Sequence, residues 1–255
     1  MNKKIVLFIV MGIFVTCALF AVVGFAMHSP SGSRPAESTP VLAAANAAPP
    51  AQAAAPAAAP ASPAPASVET DAWKKLFDKR DPEHAVMHKV ARGETLTKIS
   101  KQYGVTVGLL KKVNALTSDG LNAGQTLKVP AYKLSAVVDK SQNTMLLKGD
   151  EVILKTYAVS TGKDNSTPVG TFKTTTKLVN PTWYTNGRAI KFGDPEHQLG
   201  TRWIGIDKKG YGIHGTIEPD QIGRQVTAGC VRLRNEEVEE LYDIFPQGAE
   251  VTIVD

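Results

Sequence analysis

The sequence predicts a multidomain α+β protein: a small strand-helix-helix-strand module followed by a mainly-β domain. Three observations predict it. Apolar residues are spread unevenly over the 255 positions: residues 1–71 hold an uninterrupted apolar run and an Ala/Pro tract, neither able to close a core. Residues 86–131 alternate, then carry two helical stripes, then alternate again. From residue 134 onward short strand-like runs separated by turn residues dominate, with one late helix.

Lys3 and Lys4 precede residues 5–27, a run of 23 without charge, Pro or Asn. That length crosses a bilayer as a helix, and lysines on its N-terminal side favour an N-in orientation that exports the remainder. Gly24 and Ala26 leave cleavage after Ala26 open, so residues 1–28 are expected to be either a transmembrane anchor or a signal segment. The expected location is the cell envelope: anchored in the cytoplasmic membrane facing the periplasm or wall, or secreted after cleavage. Residues 29–71 are an Ala/Pro-rich linker expected to be disordered. About 40 such residues reach on the order of 100 Å at roughly 3.1 Å each.

The net charge of +5 suits an anionic partner, but the basic residues are dispersed and no aromatic-basic stripe appears, so no nucleic-acid partner is expected. Of the two cysteines, Cys17 lies inside the N-terminal apolar run, which leaves Cys230 without a partner. A lone thiol in an exported domain is either a reactive group or an inert buried side chain, and only its surroundings decide between them. The sequence is silent on oligomeric state.

In the small module, residues 86–90 read as a strand. Thr95 is placed to cap a helix in which Leu96, Ile99 and Tyr103 share a face and Gly104 stops the turn. Thr106 caps a second helix with Leu109, Leu110 and Val113 as its stripe and Asn114 at its end; residues 124–130 close with a strand bearing Pro130 at its edge. The strings GETLTKISKQYGV, LLKKVNAL and LNAGQTLKVP resemble a LysM module across residues 86–131. The resemblance implies binding to N-acetylglucosamine-containing glycan, with Gly93 and Thr95 lining the groove, although both also serve as ordinary capping residues. His84 and His88 are neighbours without further close ligands, so no metal site is expected.

In the C-terminal domain, runs at 135–138, 144–147 and 152–159 predict a strand meander, and Val238, Leu241 and Tyr242 mark one helix over 236–242 with Asn235 as its cap. His214, in YGIHGT, precedes Cys230, in TAGCVRL, by sixteen positions. A thiol needs a base or a positive group beside it to do acyl chemistry, and an imidazole on a neighbouring strand supplies one. Gly229 carries no side chain, so its backbone and the Cys230 N–H are candidate oxyanion donors. Arg232 shares strand parity with Cys230 and is placed to clamp a substrate carboxylate. Taken singly, each residue has an equally ordinary structural explanation.

Four separated motifs, STPVGTFKTTTKLVNPTWY, FGDPEHQLGTRWIGI, YGIHGT and TAGCVRLRNEEVEELYDIFPQGAEV, resemble the YkuD-type L,D-transpeptidase domain over residues 134–255. The resemblance implies an acyltransferase acting on peptidoglycan stem peptides and glycan, without a cofactor. It assigns Cys230 as nucleophile, His214 as base and the Gly215 carbonyl as the group that orients the imidazole, with Arg232 near substrate and Thr227 beside it. The family very often has His immediately before the Gly-Cys pair, whereas this chain has Ala228. That departure bears on the thiolate fraction and the shape of the substrate site. Alternatives are water as acceptor, giving an L,D-carboxypeptidase, and a non-catalytic LysM wall-binding protein. A cysteine hydrolase of the NlpC type is opposed by the order of residues, since there the Cys precedes the His.

Overall fold

A computed structural model describes residues 66–255. The expected membrane segment and most of the expected linker lie outside the described residues. Among the described residues no helix is long and apolar enough to cross a membrane.

Regular structure begins earlier than the linker reading expected. β1 (Val68–Glu69) pairs along Thr156 and Lys155, and α1 (Asp71–Phe77) follows with Thr70 as its cap, the threonine oxygen accepting the Trp73 N–H at 3.2 Å. The linker therefore does not extend to residue 71. The reason is tertiary: Trp73 and Leu76, three positions apart, are buried in the main core, and seven residues give too few turns for a periodicity to stand out in the sequence.

The module forms as its caps predict. β2 (Ala85–Lys89) and β3 (Thr126–Pro130) pair antiparallel around α2 (Leu96–Tyr103) and α3 (Val107–Val113). Thr95 and Thr106 accept the N–H groups of Lys98 and Leu109 at 3.3 and 2.9 Å, and Gly104 ends α2 in the left-handed conformation. The apolar stripe of α3 serves two cores. Leu110 packs inside the module with Val90, Leu96, Ile99, Leu127 and Val129, whereas Leu109 and Val113 join the core of the following domain.

In that domain β4 (Leu134–Asp139), β5 (Thr144–Gly149) and β6 (Val152–Ala158) form an antiparallel meander; alternate residues of β4 and β5 are buried, while β6, whose register shifts against β5, buries Leu154, Lys155, Tyr157 and Ala158. β7 (Thr161–Gly162), β8 (Gly170–Val179) and the hairpin β9 (Trp183–Thr185)/β10 (Arg188–Ile190) follow, then β11 (Arg202–Ile206), β12 (Gly212–His214), β13 (Gln225–Thr227) and β14 (Val231–Arg232). α4 (Asn235–Ile244) and β15 (Glu250–Val254) end the chain's regular structure. Nine strands make one mixed sheet in the order β1-β6-β5-β4-β15-β8-β11-β12-β14, in which β15 runs parallel to β4 and β14 parallel to β12. α4 packs on β11 and β12 through Val238, Leu241 and Ile244. Its cap position is Arg234 rather than the expected Asn235, because Glu237 accepts the Arg234 N–H at 3.2 Å and the Asn235 amide turns elsewhere.

The module packs on the domain through α3 against α4. Thr106 donates its hydroxyl to the Asp243 carbonyl and Lys112 pairs with the Asp243 carboxylate at 3.2 Å. A Cβ placed on Gly108 would lie 2.5 Å from the same carbonyl oxygen. Alanine is the better helix residue by about 1 kcal/mol, yet Gly108→Ala is expected to destabilise the protein by about 1–3 kcal/mol through this overpacking. Calorimetry should show a lowered Tm for Gly108→Ala and none for Gly120→Ala, whose Cβ would meet only Ser118 Oγ at 3.7 Å. A Tm raised by Gly108→Ala would contradict the docked arrangement.

Candidate active site

The parallel pairing of β12 with β14 aligns Ile213 with Val231 and His214 with Arg232. Ile213 and Val231 point into the core, so His214 and Arg232 project from the opposite face, and Cys230, two residues before Arg232, shares their parity. On the other flank of β12, Trp203 of β11 registers with His214 and stacks on the imidazole, ring centroids 5.9 Å apart and planes 17° apart. Trp203, His214 and Arg232 thus form one row across three strands. Cys230 lies just before β14, and its sulfur lines a cleft together with Trp203.

His214 is buried, and its Nδ1 lies 2.7 Å from the Gly215 carbonyl oxygen. A carbonyl only accepts, so this contact puts the proton on Nδ1 and leaves Nε2 as the acceptor. Burial pushes the imidazole pKa down from 6.5 to about 4; the Gly215 carbonyl opposes the shift, and the Arg232 charge and His197 add to it. The ring is therefore neutral at neutral pH, the form a base requires.

Cys230 follows a turn built by Thr227, whose hydroxyl donates to the Cys230 carbonyl at 2.7 Å and accepts the Gly229 N–H at 3.1 Å. Gly229 has φ +127°, and a Cβ there would lie 2.8 Å from the Tyr211 ring, so only glycine fits. The half-buried sulfur donates to the Gly210 carbonyl at 3.6 Å rather than to His214. Burial raises the thiol pKa, while the Gly212 N–H and the Arg232 charge act in the opposite sense. Sulfur and imidazole rest as a neutral pair.

The sulfur lines an open cleft of about 300 Å³ walled by Leu178, Pro181, Trp183, Tyr184 and Trp203. Pro181 is held from behind by the buried His197, whose Nε2 lies 2.8 Å from the Pro181 carbonyl oxygen. Ala228 is exposed beside the turn, so the position where the family often has His opens to solvent.

Several expected roles meet a different local geometry. The Gly229 N–H is engaged by Thr227 and not free to donate to an oxyanion in this conformation, and the Thr227 hydroxyl is occupied on both sides. Arg232, expected to clamp a substrate carboxylate, is 4% exposed and held by Glu218 Oε2 at 3.1 Å and Gln221 Oε1 at 3.2 Å. Parity placed it on the right face, but the loop that carries Glu218 and Gln221 folds over it, which strand periodicity does not reveal. In the module, Thr95 caps α2 and Gly93 takes a positive φ in the preceding turn, both exposed. His88 bonds Tyr103 at 3.1 Å and Glu94 at 2.9 Å. Sequence reasoning gave no site role to Trp203, Asn235 or the Glu218–Gln221 pair; only the presence of Trp203 inside the FGDPEHQLGTRWIGI motif hinted at any of them.

A half-buried thiol in an open cleft, with a buried imidazole on the neighbouring strand, is an arrangement that suits acyl transfer. Residues 134–253 match the sequence model of YkuD, described as the L,D-transpeptidase catalytic domain, and residues 88–130 match the LysM domain. YqjB of Bacillus subtilis (strain 168) is 41% identical over 125 residues, 47% of this chain and 70% of that protein. YkuD of the same strain is 32% identical over 173 residues, 65% of this chain and 97% of that protein. Both bear names that place them among L,D-transpeptidases. The chain belongs to the YkuD family of L,D-transpeptidases, a family of acyltransferases, and carries a LysM domain ahead of the catalytic domain, a pairing that ties it to peptidoglycan and the cell wall.

The buried imidazole makes stability depend on pH. With a folded pKa of about 4 against 6.5 unfolded, the unfolded chain takes up this proton first as pH falls, so stability is complete above 6.5 and is lost between 6.5 and about 4. The loss from this group is on the order of 3 kcal/mol. Urea unfolding at a series of pH values should show His214→Gln losing less stability than the parent across that window. Equal slopes in the two proteins would contradict a depressed His214.

Proposed function

We propose that this L,D-transpeptidase works through a Cys230 thioester. The reading is carried by the placement of the sulfur in an open cleft on the same sheet face as an imidazole whose Nδ1 is pinned to the Gly215 carbonyl. Cys230 Sγ attacks the carbonyl of the L,D bond between diaminopimelate and D-alanine in a tetrapeptide stem, and its proton passes to His214 Nε2. The C–N bond breaks as His214 returns that proton to the leaving D-alanine nitrogen, leaving the acyl group on sulfur. An amine from a second stem, or from an envelope protein, then attacks the thioester; His214 takes the amine proton, and the thiol is regenerated with a new amide cross-link.

The chain's own groups divide the work. The Cys230 N–H is the proposed oxyanion donor, since the Gly229 N–H is engaged elsewhere. Arg232, fixed by Glu218 and Gln221, acts through its charge, favouring thiolate at Cys230 and disfavouring a persistent imidazolium at His214. Trp183, Tyr184 and Trp203 offer flat apolar walls to the bound stem. The LysM domain holds glycan strands near the catalytic domain, with Gly93 and Thr95 at the proposed groove. Residues 5–27 suit an envelope location, either anchored in the cytoplasmic membrane facing the periplasm or wall or secreted after cleavage.

Intact-protein mass spectrometry with a tetrapeptide donor tests the mechanism. The parent should gain the mass of the acyl group and release D-alanine; Cys230→Ala should form no adduct and lose at least ~1000-fold in D-alanine release. His214→Gln should lose about 100- to 10,000-fold. D-alanine release that persists in Cys230→Ala would rule the thioester out. Product analysis with and without an amine acceptor separates transfer from hydrolysis.

A further inference from the structure

We propose that Asn235 is a positioning residue for the acyl-transfer pair, fixing the peptide unit whose carbonyl selects the His214 tautomer. The proposal rests on the reading of His214 as the base and adds to it the group that holds the base's orienting carbonyl. Asn235 is the first residue of α4. At a helix start an Asn side chain ordinarily bonds its own helix, but here that helix is closed by Glu237, and the amide points across to two other segments. Asn235 Oδ1 accepts the Thr201 N–H at 3.1 Å and the Thr216 N–H at 3.1 Å, while Nδ2 donates to the Thr216 carbonyl at 2.8 Å.

The Thr216 N–H and the Gly215 carbonyl belong to one peptide unit. That unit is planar and trans, so its N–H and C=O point in opposite directions, and fixing one fixes the other. The result is a continuous chain, Asn235 Oδ1 to Thr216 N–H, then Gly215 C=O to His214 Nδ1–H, which leaves Nε2 as the acceptor of the ring. Each hydrogen bond in such a chain polarises the next, strengthening the carbonyl as an acceptor. The sequence leaves room for the amide: a Cβ on either Gly200 or Gly215 would lie 2.2 Å from Asn235 Oδ1. Two side chains were omitted where this one inserts.

Without the amide, the Gly215–Thr216 peptide can rotate, and the imidazole can place its proton on Nε2, where it has no acceptor function toward sulfur. Asn235→Ala should therefore lower kcat for donor acylation by about 10- to 100-fold with little change in KM, the scale of losing a group that orients a reacting residue through one intermediary. Asn235→Asp keeps the acceptor toward both N–H groups and should recover part of that loss.

The test is nitrogen NMR of the full chain labelled with 15N-histidine, run beside donor acylation kinetics. The His214 signals, assigned among the five histidines by their loss in His214→Gln, should show the proton on Nδ1 in the parent, a redistribution toward Nε2 in Asn235→Ala and a return toward Nδ1 in Asn235→Asp. A parent protein with its proton on Nε2 overturns the proposal whether or not any variant folds. An unchanged tautomer or an unchanged kcat in Asn235→Ala overturns it as well, even if Tm falls. Failure of the thioester reading would appear separately, as activity retained by Cys230→Ala.

Discussion

The parallel pairing of β12 with β14 is the constraint on which the site depends. Antiparallel neighbours are joined by short hairpins, whereas two adjacent parallel strands need a long connection. Here residues 215–230 make that connection, and they bring the sulfur back beside the strand that carries the imidazole. Because parity alternates along a strand, the register that sends Ile213 and Val231 into the core also sends His214, Arg232 and Cys230 to the other face. A slip of one residue would turn His214 and Arg232 into the apolar core and Ile213 and Val231 out of it, so the energy of core packing enforces the chemistry of the site.

Burial then sets the protonation state. An imidazole removed from water and flanked by a fixed guanidinium resists a positive charge, and a half-buried thiol resists a negative one. A resting ion pair is disfavoured on both sides, so in the proposed mechanism charge separates only at the moment of attack. Arg232 is suited to this because Glu218 and Gln221 hold it still while its charge reaches both partners. Its Nε, buried without a partner among the described residues, is the one unsatisfied polar group in this row.

α4 joins the two halves of the described chain. Its first residue grips the peptide behind His214, and Asp243, near its last turn, receives Thr106 and Lys112 of the LysM domain. Leu109 and Val113 of α3 complete a core shared with the catalytic domain, while Leu110 stays in the LysM core. The LysM domain and the catalytic domain thus pack together, and both belong to one compact unit of the chain.

The local signals in the sequence were strong where one residue decides the outcome. Thr95, Gly104 and Thr106 cap the helices they mark, and β4 and β5 alternate as the core requires, whereas β6 does not. What stayed hidden depends on distant partners: α1, too short for a periodicity; Asn235, which reads as a helix cap and bonds elsewhere; and the Glu218–Gln221 pair that draws Arg232 away from the cleft. His214 and Cys230 were legible as residues, but the face they share is a property of a strand pairing that no local pattern announces. The most direct test of that shared face is the single-turnover rate of Cys230 acylation as a function of pH. The account predicts a rate that rises with the neutral imidazole, with its half-point near pH 4, stays level through neutrality, and loses this profile in His214→Gln. A rate that instead climbs steadily into the alkaline range, equal in both proteins, would mean the thiol ionises alone and the two residues do not act together.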